Sequence, residues 1–142
     1  MTTVDKIMSR RVVSVHMDDS LNKVRKIFAQ SRFHHVLVLE RQHVMGIISD
    51  RDLLKAVSPY VDTAAERERD TATLRRHAHQ IMSHHVITLP IDGTVLEAIR
   101  LFTHEKISCL PVLNRDETVA GILTWRDILK AIVATVEKSH KA

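Results

Sequence analysis

Two short stretches hold the residues best suited to chemistry: residues 46–56, GIISDRDLLKA, and residues 121–131, GILTWRDILKA. In each, a glycine and two apolar residues lead to a hydroxyl, Ser49 or Thr124, and then to Arg51 and Asp52 or to Arg126 and Asp127. Apolar-periodic residues follow, so the pattern predicts a strand that feeds a helix N-terminus. The first turn of a helix presents unpaired N–H groups and the positive end of the helix dipole, a seat for an anion such as phosphate. The hydroxyl and the arginine add donors, and the aspartate has acceptor oxygens for both hydroxyls of a cis-diol such as that of ribose. The same Ser/Thr-x-x-Asp spacing is close to a capping box, in which the acid merely satisfies the N–H of the cap residue. Both readings stay open from these residues alone.

The elements that would position them come in duplicate. A shift of 74 positions lays Ile7, Met8 and Ser9 on Ile81, Met82 and Ser83, Val12 on Val86, Asp18 on Asp92, Phe28 on Phe102, and Val38 and Leu39 on Val112 and Leu113. One extra residue in the loop 114–118 changes the shift to 75, which aligns Gly46 with Gly121 and Asp52 with Asp127. Each copy reads β-α-β-β-α. Extended pieces are expected at 12–15 and 86–89. The first long helix of each copy starts at Ser20, with Leu21, Val24, Ile27 and Phe28 on one face, or at Thr94, with Glu97 completing a capping box ahead of Ala98, Leu101 and Phe102. Apolar strands follow at 35–40 and 44–49, and at 109–113 and 119–124.

Within repeat one, Thr2 and Asp5 are spaced to open a short helix ending near Met8. Residues 58–77 are polar and charge-mixed, with Glu66, Arg67, Glu68, Arg69 and Asp70 in a row. They predict a connecting helix with a solvated face, capped by Thr63 and Glu66 and docked through Leu74, Ala78 and Ile81. The last helix carries an apolar face through Ile128, Leu129, Ile132, Val133 and Val136, long enough to be a partner surface, and is expected to fray from Glu137. The organisation is therefore repeat one at 1–57, a connecting helical segment at 58–77 and repeat two at 78–142, in an α+β fold.

At 142 residues the chain can bury a real core without staples. Its single cysteine, Cys109, excludes an internal disulfide and points to a reducing compartment. No run of about 18 apolar residues occurs, so a soluble, cytoplasmic protein without a membrane span is expected. The net charge of +4, from 21 basic and 17 acidic residues, is spread along the chain, and only 4% of residues are aromatic. Neither feature favours nucleic acid.

With the duplicated frame in place, residues 46–52 and 121–127 resemble the signature of CBS domains, the regulatory modules named for cystathionine β-synthase. The chain is similar to a stand-alone, bacterial-type tandem CBS protein over essentially its whole length, apart from the connecting segment and the last few residues. The resemblance implies that the two β-α-β-β-α repeats pack pseudo-two-fold through their sheets as one CBS-pair module. Such a module has two clefts that bind adenosine-containing ligands: AMP, ADP, ATP or S-adenosylmethionine. It further implies a regulator, as in energy sensing, that transmits occupancy to a partner protein, has no catalysis of its own and needs no cofactor. A homodimer through helices equivalent to 20–30, 94–105 and the C-terminal helix also follows from it.

Matched position by position, the resemblance gives Asp52 and Asp127 to ribose hydroxyls, and Ser49 and Thr124 to phosphates, beside Arg51 and Arg126. Val13 and Ser14, like Ile87 and Thr88, resemble the segments that edge the adenine. Cys109 and Pro111 match the strand whose backbone approaches the ligand, and His34 and His35 sit where a related kinase subunit often has a His-Arg pair directed at phosphates. This chain departs from the pattern in repeat one, where Leu37 replaces the proline and His35 replaces a permanent positive charge, so that phosphate binding there becomes pH-dependent. Asp50 stands where repeat two has Trp125. An added acid repels a polyphosphate, so unequal sites are expected, with the Thr124 and Asp127 cleft the better nucleotide site.

Other constellations are weaker. Of ten histidines, the adjacent pairs His34–His35 and His84–His85 would point to opposite faces of a strand, and no Cys cluster or HExxH pattern joins them, so no metal site is expected. Cys109 falls where a buried strand begins, which disfavours a nucleophile, and no phosphate-binding glycine loop occurs. The competing reading is a dimeric interaction module whose clefts are vestigial and whose aspartates are only helix caps.

Overall fold

The computed structural model describes residues 2–140. The chain divides into two compact units, one of Val13–Val86 and one of Met1–Val12 with Ile87–Ala142.

In the first, β1 (Ser14–Val15), β2 (His35–Glu40) and β3 (His43–Ser49) form a sheet in that order, β1 parallel and β3 antiparallel to β2. The helix α1 (Leu21–Gln30) crosses over between β1 and β2, as a parallel pair requires. Ser20 caps it, its hydroxyl accepting from the Lys23 N–H at 3.3 Å. The four central residues of β2, Val36 to Leu39, are all buried, which accounts for their unbroken apolar run. Arg41 and Gln42, both at positive φ (51° and 68°), form the two-residue turn into β3. That geometry matches the strand twist but strains residues other than glycine, asparagine and aspartate. The helix α2 (Asp50–Ala56) leaves β3 with no intervening loop.

The second unit repeats this plan. The strands β4 (Leu89–Pro90), β5 (Cys109–Leu113) and β6 (Val119–Thr124) form the sheet, α5 (Val95–His104) is the crossover, and α6 (Trp125–His140) follows β6 directly. Both hairpins are irregular at the same place, between Val38 and Leu39 and between Val112 and Leu113. The residue that shifts the repeat alignment lies in the loop beyond that irregularity, where Glu117 takes φ 68°.

Each sheet is completed by a segment far away in sequence. Ser9 and Ile122 exchange backbone hydrogen bonds, 2.9 Å each way, and Ile47 and Ser83 do the same at 3.1 and 2.8 Å. The arm holding Val4 and Met8 thus closes a core of Leu89, Ala98, Phe102, Leu110, Val112, Leu123 and Ile128. The segment α4 (Ala78–Ile81) with Met82 closes the core of Val15, Leu21, Val24, Val36, Val38, Ile48 and Leu53. These arms are the matching Ile-Met-Ser triplets of the duplication, and each serves the sheet of the copy to which it does not belong in sequence.

The α+β class, the two three-stranded sheets and the bounds of β2, β5 and β6 agree with the sequence reading; β3 begins one residue earlier than expected. Four expectations change. The extended pieces at 12–15 and 86–89 pair only over Ser14–Val15 and Leu89–Pro90, because a parallel edge strand ends where its partner's ladder does. The N-terminal turn is a 3-10 helix, Val4–Lys6, opened by Thr3 rather than Thr2. Among the described residues α6 runs on to His140 instead of fraying at Glu137; Lys141 and Ala142 lie outside them.

The connecting segment is the fourth. It contains turns, then α3 (Glu68–Ala72) and a 3-10 helix (Thr73–Arg75), in place of one continuous helix. Its anchor is a residue of the charge run: Asp70, only 6% exposed, accepts from the Ser58 hydroxyl at 2.7 Å and the Arg67 N–H at 2.8 Å. Those hydrogen bonds, Ser58 first, hold its carboxyl below the ordinary carboxylate range. A lowered folded-state value means that the stability it contributes is present above the unfolded value of 3.8 and is lost as pH falls through the folded value. In Asp70→Asn, urea midpoints measured between pH 7 and pH 3 are expected to start lower and to fall less steeply below pH 4 than in the wild type.

Gly46 and Gly121 sit under the arms. A Cβ on Gly121 would meet the Ser9 carbonyl oxygen at 2.7 Å and Met8 Sδ at 2.7 Å, and one on Gly46 would meet the Ser83 oxygen at 2.9 Å. Gly121→Ala is expected to lose about 1–3 kcal/mol in urea unfolding through overpacking. Adding Met8→Ala should not rescue it, because the backbone clash remains.

Candidate functional site

The hairpin register brings the predicted residues together within each unit. In the Val13–Val86 unit, β2 lies between β1 and β3. His35 is paired with Ser49, and Ser14 with Leu37, while the Leu37 N–H donates to the Val13 carbonyl at 3.2 Å. Val13, Ser14, His34, His35, Ser49, Arg51 and Asp52 therefore gather at one end of the sheet, where β3 turns into α2. In the other unit Cys109 is paired with Thr124 and Leu89 with Val112, so Ile87 and Thr88 run in beside Cys109 and Pro111. Thr124, Arg126 and Asp127 sit at the corresponding end. The two clusters are the same construction.

At both junctions the capping geometry forms. Asp52 Oδ2 accepts from the Ser49 N–H at 2.9 Å and Ser49 Oγ accepts from the Asp52 N–H at 3.1 Å, a complete capping box. Asp127 Oδ2 accepts from the Thr124 N–H at 2.9 Å and from the Thr124 hydroxyl at 3.1 Å. A carboxylate has about four acceptor positions and a diol needs two. The cap uses one at Asp52 and two at Asp127, all on Oδ2, so capping and diol binding are compatible. The hydroxyls differ: Ser49 accepts and keeps its proton for a ligand, whereas Thr124 donates to Asp127 and would have to rotate to meet a phosphate.

The surroundings of the two junctions differ more. His34 Nδ1 lies 3.0 Å from Asp50 Oδ2. That hydrogen bond, opposed by partial desolvation, holds the Asp50 carboxyl below its ordinary range. His35 is half-buried, and desolvation lowers its pKa, with Asp50 pulling the other way and His34 adding to the drop. It is therefore neutral at pH 7, and charging it opposes burial. On the other side Trp125 packs on Phe102, ring centroids 5.1 Å apart. Cys109 is 5% exposed, and burial pushes its thiol up to about 12, so it is not a thiolate nucleophile at neutral pH. The contact between His34 and Asp50 has no signature in the sequence. Neither residue's spacing reveals it, because it depends on the register that sets His35 against Ser49.

Two further features bear on chemistry. The rings of His77 and His79 stack at 5.6 Å, and His77 Nδ1 is 2.8 Å from the Asp18 carbonyl; among the described residues no three His, Cys, Asp or Glu side chains are grouped to hold a metal. An open groove of about 320 Å³ follows α6, lined by Arg126, Leu129, Lys130, Val133, Ala134 and Glu137. It runs along the helix from Arg126, and neither Thr124 nor Asp127 lines it.

The family model for the CBS domain matches residues 4–59 and again 78–134. The chain belongs to the CBS domain family. As a tandem CBS protein it is 26% identical over 136 residues to a CBS domain-containing protein of Dictyostelium discoideum, covering 94% of this chain and 93% of that one. Against several archaeal relatives it spans between 32% and 51% of their length. Among solved structures it is similar to the CBS domain pair of protein MJ0100 in complex with 5′-methylthioadenosine and S-adenosyl-L-methionine, with 26% identity, TM-score 0.73 and coverage of 95% and 98% of the two chains. The fold is shared with CBSX2 in complex with AMP, at 20% identity, TM-score 0.80 and coverage of 95% and 98%.

Burial of Cys109 has a direct consequence. Ellman's reagent at pH 8 is expected to leave the folded CBS pair unlabelled and to titrate one thiol per chain in 6 M guanidinium. Asp52→Ala, which removes one arm of the capping box, should cost about 0.5–1.5 kcal/mol in chemical denaturation, the net worth of one hydrogen bond.

Proposed function

We propose that this CBS pair is a regulatory module that binds adenosine-containing ligands, AMP, ADP, ATP or S-adenosylmethionine, and passes occupancy to a partner protein. The observation that carries this reading is the duplicated junction, where an aspartate that completes a cap retains acceptor positions for a ribose diol. Ser49 or Thr124 and Arg51 or Arg126 adjoin it on the 5′ side, and Val13–Ser14 or Ile87–Thr88 edge the base. The ligand complex of protein MJ0100 supports the ligand class, and the AMP complex of CBSX2, a protein of the same fold, is compatible with it. The module is not an enzyme in this reading and acts in the cytoplasm; no described helix is long and apolar enough to cross a membrane. Repeat one at 1–57 and repeat two at 78–142 are its sequence units.

A homodimer belongs to the proposal. Leu129, Ile132, Val133 and Val136 are 48–56% exposed along α6, more apolar surface than a helix facing only water would carry. That face also favours the second reading, an interaction module whose aspartates serve only as caps.

A melt separates the two. A ligand at 100 times its dissociation constant adds about 2.7 kcal/mol to a protein that binds it only when folded. AMP, ADP, ATP or S-adenosylmethionine is expected to raise the melting temperature by several degrees, and less in Asp127→Asn. No shift with any of the four would leave the interaction reading.

A further inference from the structure

The two junctions differ in charge. Residues 50–52 are Asp, Arg and Asp, whereas 125–127 are Trp, Arg and Asp, so the first carries one more negative charge. That charge is built in. His34 holds the Asp50 carboxylate at 3.0 Å, Asp50 also takes the first position of α2 with its N–H donating to the His34 carbonyl at 3.0 Å, and the pairing of His35 with Ser49 locks both to the strand end. The lowered pKa of Asp50 keeps it ionised through the neutral range. At the other junction the equivalent side chain is the indole of Trp125, packed on Phe102.

We propose that Asp50, positioned by His34, makes the first junction selective for adenosine compounds whose 5′ substituent is uncharged or cationic, such as a thioether or a sulfonium, while the second junction takes the phosphorylated ones. This rests on the adenosine reading above. The 5′ group and the diol hang from the same sugar ring, so a ligand held through its diol by Asp52 brings its 5′ group within about one Debye length, ~8 Å, of a carboxylate two residues away. Coulomb repulsion at such a distance near a protein surface, screened by salt, changes affinity by about threefold per phosphate charge, hence about tenfold for the AMP dianion, and a sulfonium is attracted instead. The pair is solvent-exposed, with side-chain exposures of 76% for His34 and 46% for Asp50, so the discrimination should weaken with salt.

Titration calorimetry with AMP and with uncharged 5′-methylthioadenosine tests this on the full chain at pH 7.5. Asp127→Asn isolates the first junction and Asp52→Asn the second. The first should bind methylthioadenosine about tenfold more tightly than AMP, and the second should show no such preference or the reverse. Adding Asp50→Asn to the first-junction protein should bring the two probes within about threefold, and 0.5 M NaCl should act in the same direction. Equal probe ratios at both junctions, or a ratio unmoved by Asp50→Asn, would overturn the charge-selection proposal and leave the adenosine reading standing. Failure of both probes, and of S-adenosylmethionine, to bind the wild type would overturn that reading and this inference with it.

Discussion

A strand that turns into a helix without a loop leaves its last backbone N–H with nowhere to go, and a carboxylate three residues on resolves the problem. That requirement is met at 2.9 Å at both junctions. It fixes the position on the first turn and calls for an acceptor there. A side chain without an acceptor there would leave a backbone donor unmet at a half-buried site. Because the cap occupies Oδ2, the same side chain remains able to meet further donors from outside. Capping therefore leaves lone pairs on the same carboxylate that a recognition role would use.

The duplication supplies two such junctions on one scaffold, and divergence around them supplies the asymmetry. His34, His35 and Asp50 in the first copy stand where Ser108, Cys109 and Trp125 stand in the second. One junction is ringed by groups that titrate or carry charge, and the other by an apolar ring and a thiol too deeply buried to ionise. These changes fall at the open end of the sheet, His35 and Cys109 being the first residues of β2 and β5, and spare the buried central residues of those strands.

The framework itself is held by an exchange of arms. Each three-stranded sheet is finished by backbone hydrogen bonds to a segment far away in sequence, with a methionine laid across a glycine whose missing Cβ permits the approach. Methionine suits the place because an unbranched thioether adapts to an irregular gap. A chain cut between its sequence repeats would leave each sheet without the arm that closes its core, so the repeat in sequence and the compact unit in space are different objects.

The sequence by itself determined the duplication, the β-α-β-β-α order, the long strands nearly to the residue and the junctions as the chemically equipped places. Those follow from local patterning: apolar periodicity, cap spacing and the repetition of both. Tertiary structure alone decided which arm closes which sheet, that His34 meets Asp50, and that Asp70 leaves the charge run to anchor the connecting segment against Ser58. Each of these joins residues 12 or more positions apart, or turns on strand register, and a pairing across such a distance leaves no periodic trace in the chain that makes it.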